Sequence, residues 1–129
     1  MLDLYDCPVA LLDDAEFVKQ AIIDASEHSL TTLLKHVSHH FHPHGVTALG
    51  LLAESHISIH TWPEHGYVGA DVFTCGDRAD PVRACHFLVR IFEADRYSLR
   101  QLPRGALASV EAQPITEAPV VEVTHQDAG

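Results

Sequence analysis

Apolar positions along this chain repeat with two different periods, and each change of period predicts a change of element. Leu2 to Tyr5 is a short extended segment. Asp13-Asp14 then supplies acidic helix-start chemistry, and Ala15, Val18, Ile22 and Ala25 recur at helical spacing, which predicts a helix over about Asp14 to Glu27. Leu30 to Val37 mixes β-branched and apolar residues and predicts a strand. Pro43-His44-Gly45 punctuates a turn. Val46 to Ala53 is a nearly continuous apolar run, too short for a typical helix and suited to a buried central strand. His56 to Thr61 alternates cleanly, with Ile57 and Ile59 on one side and His56, Ser58 and His60 on the other. A turn at Pro63 to Gly66, a strand at Tyr67 to Cys75 and a stop at Gly76-Asp77 follow. Pro81 suits the first turn of a second helix, whose face is Val82, Cys85, His86, Val89 and Phe92 up to about Glu93. Arg96 to Leu102 reads as a last strand.

Two helices are enough to cover one face of a mostly antiparallel sheet, so the expected fold class is α+β, a two-layer sandwich. The other sheet face is then left to a partner or to polar side chains. At 129 residues there is room for one ordinary domain, expected over residues 1–104. The last 25 residues, from Gly105, carry Pro114, Pro119, four acidic residues and no Lys or Arg, which predicts a mobile tail over 105–129. Within it, only Val120 to Val123 suits an edge strand.

Composition narrows the setting. No apolar run approaches the roughly 20 residues that span a bilayer. The acidic start, Met1 to Asp6, lacks the features of a signal peptide, so the cytoplasm is the expected location. Cys7, Cys75 and Cys85 are then expected to be thiols. A formal net charge of −10 repels nucleic acid and anionic membrane and suits a cationic ligand. Eleven histidines make that charge sensitive to pH near neutrality.

The chemistry is concentrated in Glu54-Ser-His-Ile-Ser-Ile-His-Thr-Trp-Pro-Glu64 and Asp71-Val-Phe-Thr-Cys-Gly76. These offer a hydroxyl at Ser55, imidazoles at His56 and His60, a carboxylate at Glu64 and a thiol at Cys75. If the turn at 62–66 closes a hairpin, Ser55 and Cys75 approach each other. An imidazole beside a hydroxyl or thiol is the usual way to activate either. Spacing alone leaves this open against a plain solvated sheet face, because there is neither a G-x-S-x-G elbow nor a Cys/Cys metal spacing.

The same two strings resemble the signature of the bacterial and archaeal S-adenosylmethionine decarboxylases. The resemblance extends to Leu4-Tyr-Asp-Cys7 and Phe41-His-Pro-His-Gly-Val46 and spans roughly residues 2–104. It implies a proenzyme that cuts itself between Glu54 and Ser55 into a β chain, 1–54, and an α chain beginning at 55. Ser55 would become a pyruvoyl group, a covalent cofactor that binds the substrate amine as a Schiff base and takes up the electrons released with CO2. His60 matches the processing histidine and Cys75 the proton donor. Phe41 and Trp62 match aromatics that sandwich adenine, and Glu64 a carboxylate facing the ribose. Phe41 taken by itself also fits a core aromatic. The implied substrate is S-adenosylmethionine, the product the aminopropyl donor for spermidine, and the assembly a homodimer whose active sites draw on both chains.

Two features depart from the family pattern. The chain begins almost inside its first strand, which is expected to weaken that strand. His36, His39, His40, His42 and His44 form a cluster the family lacks, which raises the alternative of a metal-binding module for Zn, Ni or Cu. A further alternative keeps the pyruvoyl chemistry and turns it on arginine or ornithine, although Phe41, Trp62 and Glu64 argue for a nucleoside. A non-processing paralogue is at odds with the presence of Ser55, His60 and Cys75. Cys7 and Cys85 read as packing residues.

Overall fold

The computed structural model describes residues 1–105. Of the expected tail, 105–129, all but Gly105 lies outside the described residues, the Val120 to Val123 segment included. The elements run β1 (Leu2–Tyr5), α1 (Val9–Leu12), α2 (Ala15–His28), β2 (Leu33–His40), β3 (Val46–Leu52), β4 (His56–Trp62), β5 (Tyr67–Phe73), α3 (Pro81–Ile91) and β6 (Arg96–Leu99). The six strands form one sheet in the order β2-β3-β4-β5-β1-β6, and every pair is antiparallel. The α+β two-layer expectation holds.

Strand alternation decides which face is covered. Leu2, Leu4, Val46, Ala48, Ile57, Ile59, Val68 and Ala70 all point into one core, against Val18, Ile22 and Ala25 of α2 and Ala84, Cys85 and Leu88 of α3. A Cβ at Gly50 would lie 2.6 Å from Ile22 Cγ2, so the missing side chain is what lets α2 lie close over β3. Both helices start on aspartate caps: Phe17 N–H donates to Asp14 and Arg83 N–H to Asp80, each at 3.0 Å.

Several predicted boundaries move. The second strand runs from Leu33 to His40 rather than from Leu30 to Val37. Leu30 belongs to the end of α2, where it takes a left-handed conformation (φ 57°). Leu30 N–H donates to Glu27 and Thr31 N–H to Ser26, both at 3.1 Å, which closes the helix by the two-bond pattern usually built on glycine. The apolar run after Gly45 is not buried on both sides, since Leu49 and Leu51 are 43% and 52% exposed. The fifth strand stops at Phe73, leaving Cys75 in the loop before α3, and the last strand stops at Leu99. The one-turn helix α1 is too short for periodicity to reveal. It is tied in where Thr61 Oγ1 donates to Leu12 O at 2.6 Å and accepts from Val46 N–H at 2.8 Å. Despite its position at the chain start, β1 pairs along its length with both β5 and β6.

Among the described residues, no helix covers the second sheet face. Val37, Leu49, Leu51 and Phe73 stand exposed on it, in neighbouring rows fixed by the strand register. Among the described residues, no helix is long and apolar enough to cross a membrane.

Candidate active site

Ser55 ends the three-residue connection between β3 and β4. Leu52 N–H donates to Ser55 O, and Ala53 N–H to Thr32 O, both at 2.9 Å. The Glu54 carboxylate accepts from Thr32 N–H at 3.0 Å. From the other side, the Cys75 thiol donates to the Glu54 carbonyl oxygen at 3.0 Å. The predicted hairpin of β4 and β5 produces this meeting, with Trp62 paired to Tyr67 at the turn and His56 to Phe73 at the open end. Ser55 Oγ lies 3.4 Å from His56 Nδ1, a long contact. The structure therefore brings Glu54, Ser55 and Cys75 together.

The remaining candidates gather at the opposite end of β4. His60 is half-buried, and its Nδ1 lies 2.9 Å from Thr47 Oγ1, directly across from it on β3. Sequence reasoning passed over Thr47. The available signal was a hydroxyl set among apolar residues, at a position of β3 that alternation sends to the open face. Trp62, 41% exposed, packs on Tyr67 with ring centroids 5.2 Å apart, and Tyr67 on Tyr5 at 5.6 Å. Gly69 leaves room for this stack, because a Cβ there would lie 3.1 Å from the Tyr67 hydroxyl. That hydroxyl donates to Asp3, and this bond, with partial burial and the nearby negative charge, pushes the phenol up to about 12.

Phe41 and Glu64 sit on neighbouring turns, so this exposed aromatic (47%) is not a core residue. Glu64 is in the 3₁₀ turn Pro63–His65 and pairs with His44 Nε2 at 2.9 Å. The turn bearing Phe41 is closed by Phe41 N–H donating to Gly45 O at 2.8 Å. Asp13 anchors it, accepting from Gly45 N–H at 3.0 Å and lying 2.8 Å from His40 Nε2. These two contacts, the Gly45 bond first, hold the Asp13 carboxyl below its usual range. His39 packs on Phe41 at 4.6 Å. His39, His40 and His44 thus go to separate partners, and no three potential ligands converge as a metal site among the described residues.

The two groups do not meet within one chain. Ser55 and His60 are five positions apart along extended backbone, about 16 Å at ~3.3 Å per residue. The three cysteines are free thiols. Cys75 is exposed, while burial, with Asp6 and Asp95 nearby, pushes Cys7 up to about 11, and burial raises Cys85 as well. Both buried thiols pack in the core, as expected.

A family model described as S-adenosylmethionine decarboxylase matches residues 1–105, the whole described structure. The chain belongs to the S-adenosylmethionine decarboxylase family. An S-adenosylmethionine decarboxylase proenzyme of Parasynechococcus marenigrum (strain WH8102) is 51% identical over 110 residues, 85% of this chain and 86% of the relative. One from Acidithiobacillus ferrooxidans (strain ATCC 53993 / BNL-5-31) is 42% identical over 103 residues, 80% of this chain and 77% of its own length. The crystal structure of the adenosylmethionine decarboxylase from Aquifex aeolicus VF5 superposes with a TM-score of 0.77 at 35% identity, covering 87% of this chain and 92% of that one. Both ends of β4 lie inside the family match, so the two groups of candidate residues belong to the S-adenosylmethionine decarboxylase domain itself.

Proposed function

We propose that this chain is a proenzyme that cuts itself at Glu54–Ser55 and then decarboxylates S-adenosylmethionine to the aminopropyl donor for spermidine. The observation that carries the self-cutting is the 3.0 Å hydrogen bond from Cys75 to the Glu54 carbonyl oxygen. A donor there meets the negative charge that develops when a nucleophile adds to that carbonyl. Ser55 Oγ adds to the Glu54 carbonyl carbon, and the Ser55 nitrogen departs carrying the hydroxyl proton, which exchanges the amide for an ester. His60, oriented by Thr47, takes the Cα proton of residue 55. The Cβ–O bond breaks, and Glu54 leaves as a carboxylate on the β chain, 1–54. The dehydroalanine at position 55 tautomerises, and water displaces ammonia to leave a ketone at the head of the α chain.

The residues present fit such a pyruvoyl group: Ser55 immediately precedes a strand, the bond before it is polarised, and an exposed thiol lies alongside. The group supplies a sink for the electrons released with CO2. Cys75 gives a proton to the substrate's α-carbon, Phe41 and Trp62 take the adenine, and Glu64 accepts from the ribose hydroxyls. The exposed aromatics favour a nucleoside substrate over arginine or ornithine. Cys75 must stay a thiol, which the cytoplasm ensures.

A homodimer completes the site. The 16 Å between Ser55 and His60 separates one chain's nucleophile from its own base. A second sheet laid two-fold over the exposed Val37, Leu49, Leu51 and Phe73 can set the Ser55 end of one β4 against the His60 end of the other.

The test is an intact mass followed by an activity assay. Two fragments meeting at 54/55 are expected, with the α chain lighter by one ammonia than a chain starting in serine. CO2 is expected from carboxyl-labelled S-adenosylmethionine and not from arginine or ornithine. One unbroken species after long incubation refutes the self-cutting.

A further inference from the structure

The Glu54 side chain plays no part in the steps above, yet it is held from outside its own loop. Its carboxylate accepts the Thr32 N–H at 3.0 Å, and Thr32 O in turn accepts the Ala53 N–H at 2.9 Å. Thr32 lies between α2 and β2, on the connection that follows the closed end of α2. The carbonyl of the same residue is held from the opposite side by Cys75. Residue 54 is thus gripped at its side chain from the β2 side and at its carbonyl from the β5 side, which fixes the rotation of the peptide plane between them.

Resting on the proposed self-cutting, we infer that the Glu54 carboxylate is the positioning residue for the Glu54–Ser55 cut. Its bond to Thr32 sets the carbonyl to face both Cys75 and the Ser55 hydroxyl. The tether also outlasts the bond. Thr32 and Glu54 both stay on the β chain, so the new terminus remains fastened to β2 after the break and is kept from folding back over residue 55. An amide at this position keeps the acceptor oxygen, whereas alanine removes it.

The experiment follows cutting of the freshly folded full chain by intact mass for wild type, Glu54→Gln and Glu54→Ala, with thermal melts alongside. Glu54→Ala should cut on the order of 10- to 100-fold more slowly, the range for a misplaced reacting group. Glu54→Gln should stay within about threefold of wild type, a span of about 0.65 kcal/mol. In an uncleavable Ser55→Ala background, hydrogen exchange at the Thr32 amide should speed up with Glu54→Ala and not with Glu54→Gln, which reads the tether without any activity. Wild-type cutting with an equally fast Glu54→Ala overturns the positioning role alone, as does Glu54→Gln as slow as Glu54→Ala. A wild-type chain that never cuts overturns the self-cutting, and the positioning role falls with it.

Discussion

Co-expression of Ser55→Ala and His60→Ala chains tests whether the base that acts on one chain comes from the other. Ser55→Ala removes the hydroxyl proposed to attack. His60→Ala removes the imidazole proposed to take the Cα proton, a loss of about 100-fold or more for a general base. Neither variant should cut appreciably alone. In a two-fold dimer, residue 55 of each chain faces residue 60 of the other. A mixed dimer then holds one site with both defects and one with neither, and the intact site belongs to the His60→Ala chain. Random pairing of equal amounts makes about half of the dimers mixed. Roughly half of the His60→Ala chains should therefore break at 54/55, while no Ser55→Ala chain breaks. Tags of different mass on the two chains make both fractions readable in one intact-mass spectrum. A mixture in which no His60→Ala chain is cut, beside a wild type that cuts, refutes the shared site. A His60→Ala chain that cuts at the wild-type rate by itself refutes the role of His60.

Thr47→Val keeps the shape of the side chain and removes the 2.9 Å contact with His60 Nδ1. At about 0.5–1.5 kcal/mol for one hydrogen bond, time-resolved intact mass should show cutting slowed roughly twofold to tenfold, and an unchanged rate would remove Thr47 from the mechanism. Gly50→Ala puts a Cβ 2.6 Å from Ile22 Cγ2 and 3.1 Å from Leu33 Cδ1. Overpacking of about 1–3 kcal/mol should lower the melting temperature by several degrees, and an unchanged melt would mean that α2 does not lie where described. Asp13 has its folded-state pKa depressed, so the stability it adds is present above the ordinary carboxylate value of 3.8 and is lost as pH falls toward the lowered one. Acid denaturation monitored by circular dichroism should show a shallower loss at low pH for Asp13→Asn than for wild type; identical slopes would contradict the Gly45 and His40 contacts.

Much of the fold was legible because the inner strands β1, β3, β4 and β5 each bury one face. The alternation of Ile57 and Ile59 with Ser58 and His60 fixed both the strand and its polarity, and the structure keeps it. The errors came where a local rule met a tertiary one. Leu30 looks like a strand residue but closes a helix in a conformation that glycine usually supplies, so no residue type announced the boundary. Leu49 and Leu51 look buried because a run of apolar residues carries no sign of which face is covered; a sheet with helices on one side leaves them in the open. For the site, the motif marked Ser55, His60 and Cys75, and the hairpin explains why a thiol 20 positions after the serine returns to its flank. Thr47, Thr32 and the His44–Glu64 pair were not legible. Each acts through contacts set by strand register or by the meeting of two turns, and linear spacing carries neither.

The apolar side chains exposed on the open face and the divided set of residues point to the same physical need. Strand β4 has the proposed nucleophile Ser55 just before its head and an imidazole with an aromatic stack at its foot, and an extended strand cannot fold to bring its own ends together. An open face without exposed apolar side chains would leave each chain with two half-equipped ends and nothing to draw a second sheet over them. Val37 at 62% exposure and Leu51 at 52% instead place apolar area between those ends, where a second sheet would remove it from water. Under the proposed dimer, the burial that favours association and the alignment that assembles the chemistry come from one docking event. A charge placed mid-face, such as Leu49→Asp, opposes both at once while leaving the helix-covered core untouched.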